Sequence, residues 1–139
     1  MIELLLKKAR QALQTARRDL DDEDTDAAAN RCYYAVLYAA WAMFAVRGLA
    51  QPRTHSGLIA EFGRHFVKDG PFDQRLGATL GKLFALRSYA DYILEPTPRD
   101  KAEIAIEAAG AFLSAVEQEI ARCKPPAEPP DQPAGGESR

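Results

Sequence analysis

Arg87, Asp91 and Tyr92 are the side chains with which this sequence could do chemistry, and the handling of a phosphate is the chemistry that suits them. Leu76, Leu80, Leu83, Arg87, Ala90 and Leu94 recur at steps of three and four, so a helix puts all six on one face and draws a guanidinium toward packed surface. A charge placed there needs partners. Asp91 follows Arg87 by one helical turn, and two readings of that pair stay open. Exposed, it is an intrahelical ion pair worth about 0.2–0.5 kcal/mol. Drawn inward, Asp91 orients the planar donors of Arg87, which face a second copy of the chain across a cleft and can grip a phosphate. Tyr92 is packing surface or a ligand contact.

Other reactive side chains are sparse. Arg31, Tyr34 and Tyr38 share a helical face, and the two phenols can meet Arg31 through their hydroxyls. His55 follows Pro52 and Thr54 at a helix start and is a candidate ligand contact, or a base if the fold carries it to Arg87. His65 is ten residues further on, and no Cys, Asp or Glu stands at metal-ligand spacing from the two. Cys32 and Cys123 form neither a metal motif nor a disulfide framework. Glycine-rich phosphate loops, a nucleophile elbow and paired catalytic carboxylates are absent from the sequence. No metal and no cofactor is called for.

The elements that must position these groups are helices. The 139 residues are 47% hydrophobic, enough for one domain with one core. Residues 2–19 place Ile2, Leu5, Leu6, Ala9, Leu13 and Ala16 on one side, and the acidic joint DLDDEDTD supplies caps for the next helix. That second helix, 24–47, carries NRCYYAVLYAAWAMF and closes at Gly48. Tyr34, Tyr38 and Trp41 on one sector and Tyr33, Leu37 and Phe44 on the next leave little of it polar, which suggests burial by both the bundle and a second chain.

A third helix is expected over 55–68, closed by the turn Asp69-Gly70-Pro71, and a fourth over 73–94, ended by Pro96 and Pro98. Thr97 can cap the fifth, 99–122, whose packing face is Ile104, Ala108, Ala111, Phe112, Ala115, Val116 and Ile120. The expected fold is all-α, an antiparallel bundle of about five helices spanning residues 1–123. Five of the nine prolines fall in KPPAEPPDQPAGGESR, so residues 124–139 read as a disordered, proline-rich tail.

A net charge of −2 gives no global attraction to nucleic acid or to an anionic membrane, so an RNA contact must come from a local basic cluster. With two cysteines, no basic segment followed by an apolar run at the start and no uninterrupted apolar span, the expectation is a reduced, cytoplasmic protein outside the membrane.

At NRCYYAVLYAAWAMFAVRGL (30–49), PRTHSGLIAEFGRHFV (52–67) and RSYADY (87–92), the chain resembles the HEPN family, especially its small stand-alone prokaryotic members. The resemblance covers residues 1–122 and implies a helical bundle that dimerises. It also implies a minimal nucleotidyltransferase encoded alongside as partner, and the toxin half of a toxin and antitoxin pair. In the ribonuclease members, an arginine followed after four to six residues by histidine meets its symmetric copy, and the RNA 2′-hydroxyl attacks the adjacent phosphate without a metal. Arg87 matches that arginine. Tyr92, Ile93 and Leu94 fill the three places open to the histidine; a phenol, with an ordinary pKa of about 10, is a poor base near neutrality.

Two functional classes follow. One is a toxin-like HEPN component working with a nucleotidyltransferase, a metal-independent endoribonuclease in its catalytic form, with Arg87 and Asp91 as catalytic residues and Arg31, Tyr34, His55, Arg87 and Tyr92 contacting RNA or nucleotide. The other is a noncatalytic dimeric module that binds protein or nucleotide, with Arg87 and Asp91 as a buried interface pair.

Overall fold

The computed structural model describes residues 1–123; the expected proline-rich tail, 124–139, lies outside them. Five α-helices form the bundle, and among the described residues there is no strand. The first, α1 (Ile2–Asp21), buries Leu5, Leu6, Ala9, Ala12, Leu13 and Ala16. The acidic joint does what its composition implies. Glu23 takes a left-handed conformation (φ 63°), and the Asp24 carboxylate accepts the Ala27 N–H at 3.1 Å, capping α2 (Thr25–Val46).

Helix α2 is the centre of the bundle. It packs most extensively on α1 and also against α5 and α4. Both helices bury small residues, Ala9, Ala12 and Ala16 on α1 and Ala28, Ala29, Ala35 and Ala39 on α2, which lets backbones pack closely. The helix ends where Gly48 adopts a positive φ of 68°, a conformation glycine takes without steric cost.

The third expected helix divides into two kinds of turn. Thr54 caps α3 (His55–Phe62) by accepting the Gly57 N–H at 2.9 Å, and the chain then widens into a π-helical segment, Gly63–Lys68. Within that segment Phe66 packs edge-on to Phe44 at 5.0 Å and against Phe62 at 5.1 Å. The turn that follows needs Gly70, where a Cβ would collide with the Phe66 backbone.

Helix α4 (Gln74–Tyr92), capped by Asp73, is two residues shorter than its apolar stripe suggests. Ile93 is extended, and Leu94 is 103% exposed rather than packed. The reason lies just beyond. Thr97, expected to cap the last helix, is buried, and its N–H and hydroxyl both donate to Asp26 Oδ1 on α2, at 2.8 and 2.6 Å. This tether pulls the connection toward α2. Helix α5 (Arg99–Cys123) starts from a backbone bond of the Ala102 N–H to the Pro98 carbonyl. Its buried face is Ala102, Ala105, Ala109, Phe112, Leu113, Val116 and Ile120, so Ile104 and Ala111 of the expected face point outward, Ile104 being 63% exposed.

Asp26→Ala leaves the buried donors of Thr97 unpaired and is expected to cost about 1–3 kcal/mol of stability. A urea titration checks this as a lower midpoint with unchanged slope; Asp26→Asn, which keeps an acceptor, retains most of it.

Candidate functional site

The tether and the caps bring three helices together around one tyrosine. Tyr33, a ring among the apolar residues of α2, is fully buried, and a buried hydroxyl requires a partner. Its partner is His55 Nδ1, at 2.5 Å. His55 is delivered there by the start of α3, whose approach is pinned by Trp41 Nε1 donating to the Pro52 carbonyl at 3.3 Å. Phe84 of α4 closes the other side, stacked on the imidazole with ring centres 4.6 Å apart and 24° between planes.

One turn further along α4, Arg87 lays its guanidinium on the same ring. Its Cζ is 5.6 Å from the centre of Tyr33 and 5.3 Å from that of Tyr34. The side chain is 21% exposed, so the apolar stripe draws it inward, as its position implies. Asp91 stands 3.7 Å from Nε, an ion pair too long for a hydrogen bond, and Nε is buried with no hydrogen-bond partner among the described residues. The terminal nitrogens are the edge of this fork available to a ligand.

Arg31 reaches Tyr34 from α2 itself. Its Cζ lies 4.8 Å from the ring centre, while Nε and one terminal nitrogen donate to Asn30 Oδ1 at 3.3 and 3.1 Å. The expected contact with tyrosine hydroxyls is thus replaced by a contact with a ring. Tyr38 turns toward Trp41 and Lys8 instead. Tyr92 is 84% exposed at the end of α4, beside Tyr89, Ile93 and Leu94, an apolar edge facing outward. His65 is held elsewhere, by Glu61 and Arg64.

Arg31, Tyr34, His55, Arg87 and Asp91 therefore meet in one constellation, and Tyr92 stays outside it. Tyr33 and Phe84 are its unforeseen members. The signal for Tyr33 was a hydroxyl at a core position, which must find a partner; Phe84 carried no signal apart from the helix pairing. A groove of about 620 Å³ between α4 and α5, lined by Leu83, Leu86, Ile104 and Ala108, shares no residue with the constellation.

Protonation decides what the constellation can do. Burial pushes the Tyr33 phenol up to about 12 against the opposing charge of Arg87, so it keeps its proton. Among the described residues its hydrogen-bond partner is His55, so the phenol donates to Nδ1; the reverse arrangement would strand a buried O–H. With Nδ1 accepting, the ring proton of His55 sits on Nε2, which is a donor. Arg31, His55 and Arg87 are all donors, an arrangement suited to holding an anion. Cys32, also pushed up to about 12 by burial, is an inert thiol. Among the described residues no three His, Cys, Asp or Glu side chains gather as a metal-ligand set, and no helix is long and apolar enough to cross a membrane.

Comparison with known proteins gives a match to the HEPN domain over residues 2–119. A UPF0332 protein of Thermotoga maritima is 35% identical over 121 residues, covering 86% of this chain and 91% of the relative. A candidate toxin of Methanocaldococcus jannaschii is 29% identical over 119 residues, covering 86% and 88%. A UPF0332 protein of Gloeobacter violaceus is 34% identical over 63% of this chain and 69% of its own length.

The ¹⁵N shifts of the His55 ring, followed with rising pH to their plateau, are expected to show an unprotonated Nδ1 and a protonated Nε2, and Tyr33→Phe is expected to abolish that single-tautomer signature. Cys32 and Tyr33 both hold protons in the fold that the unfolded chain releases near their ordinary values of 9.0 and 10.0. Their contribution to stability is complete below pH 9 and is lost as pH rises toward 12. Urea midpoints measured from pH 8 to 11.5 check the direction, and Tyr33→Phe flattens the upper part of the fall.

Proposed function

This chain belongs to the HEPN domain family, and on that premise we propose that it is the toxin-like component of a toxin and antitoxin pair, directed at RNA through a phosphate held by Arg87. The observation that carries this reading is the seating of Arg87 on Tyr33 and Tyr34, with Asp91 behind its Nε edge and its terminal nitrogens available. The similarity to a candidate toxin over most of both chains supports the biological role. A minimal nucleotidyltransferase is the proposed protein partner.

A second copy of the chain completes the site in this reading. Tyr89, Tyr92, Ile93 and Leu94 form an exposed apolar edge immediately beyond Arg87, the kind of surface that a homodimer covers. Two symmetric arginines then face one RNA strand. Binding is favoured over cleavage because a 2′-hydroxyl needs a base to take its proton, and here the phenol of Tyr33 occupies His55 Nδ1 while Tyr92 supplies only a phenol. Asp91 acts as orienter of Arg87.

The test is retention and cleavage of a labelled, mixed RNA pool by wild type and Arg87→Ala in excess chelator, with folding and solution mass measured in parallel. Wild type is expected to retain RNA uncut, and the folded variant to bind roughly tenfold to a hundredfold more weakly, as loss of a charge-assisted contact implies. Cleavage abolished by Arg87→Ala replaces this reading with a metal-independent ribonuclease. A wild-type dimer that holds no RNA replaces it with a protein-binding module.

A further inference from the structure

Two guanidinium groups share the ring of Tyr34. Arg31 lies 4.8 Å and Arg87 5.3 Å from its centre. Like charges held this close repel one another unless anions stand between or beside them. Arg87 has Asp91, at the long distance of 3.7 Å. Arg31 has less: its hydrogen bonds go to the neutral amide oxygen of Asn30, and no carboxylate among the described residues stands within ion-pair distance of it. Asp19, at the end of α1, feels the charge of Arg31 through space but makes no contact with it.

Tyr34 already carries two cations close to its ring centre, and the ring relates one to the other. It stands edge-on to Tyr33, at 5.8 Å and 67°, so its position derives from the same buried phenol that orders His55. The result is a pair of planar donor forks on one rigid aromatic support, drawn from two helices and incompletely neutralised.

We propose that Arg31 and Arg87 form a two-arginine site that takes two neighbouring phosphates of a single-stranded polynucleotide, with Tyr34 as the positioning residue between them. The inference rests on Arg87 being a phosphate contact and adds a second subsite on α2, which sets the path of the strand across the α2 and α4 face. A ligand with one phosphate engages Arg87 alone. A strand engages both, and its affinity carries the salt dependence of both contacts.

The experiment is binding of a fluorescein-labelled, 2′-O-methyl RNA octamer, which cannot be cleaved at the 2′ position, to the full chain over a range of salt concentrations. Arg31→Lys, Arg31→Gln and Arg31→Glu are compared with Arg87→Gln, and circular dichroism and melting are recorded for each. The affinity is expected to fall in the order Lys, Gln, Glu at position 31. Arg31→Gln should bind roughly tenfold more weakly, with a salt slope shallower by about 0.7, the loss of one phosphate contact to a single strand. A flat series at position 31, with Arg87→Gln still weakened, overturns the second subsite and leaves the Arg87 reading standing. Absence of wild-type binding overturns both.

Discussion

The buried phenol of Tyr33 is the constraint from which the rest of this site follows. A tyrosine in the middle of the central helix brings a large apolar ring to the core and a hydroxyl that must be paired there. The imidazole of His55 is that pair, so the start of α3 has to arrive at α2. Phe84 of α4 packs on Tyr33 and His55, and Arg87 lies over Tyr33 and Tyr34, so α4 has to cross there as well. The tether from Thr97 to Asp26 then carries the chain from α4 back to α2, which leaves the apolar end of α4 displayed beside Arg87.

The helices were legible in the sequence because their signals are local. Periodicity, the acidic joint, Gly48 and the proline pair locate each element to within a few residues of its observed ends. What the pattern missed depends on partners remote in sequence. Leu94 belongs to the stripe of α4 by spacing, but the connection to α5 is bent toward Asp26, 71 residues away from Thr97. Ile104 has the chemistry of a core residue, yet α5 turns Ala102, Ala105 and Ala109 inward and leaves Ile104 exposed. The π-helical turn at Gly63–Lys68 follows from aromatic packing among Phe44, Phe62 and Phe66, which no window on one strand of sequence contains.

At the site, Arg87 stood out because a cation on an apolar stripe is costly and therefore informative. Its supports did not. The roles of Arg31 and His55 are set by which ring each meets, and that is decided by the crossing of α2, α3 and α4. The same crossing changes the chemical meaning of His55: a histidine near an arginine suggests a base, whereas one whose Nδ1 accepts a hydrogen bond from a buried phenol has only its Nε2–H to offer, as a donor. The resulting cluster of donors suits the holding of an anion, which is the role proposed for this surface.

The measurement that tests this account most directly is the ¹H–¹⁵N signal of the Arg87 Nε–H, assigned with Arg87→Lys and followed as an uncleavable RNA octamer is added to the full chain. If Arg87 holds phosphate from its seat on Tyr33 and Tyr34, the signal shifts and saturates together with the binding curve. If that signal stays in place while other arginine signals move, RNA is held elsewhere and the account is contradicted.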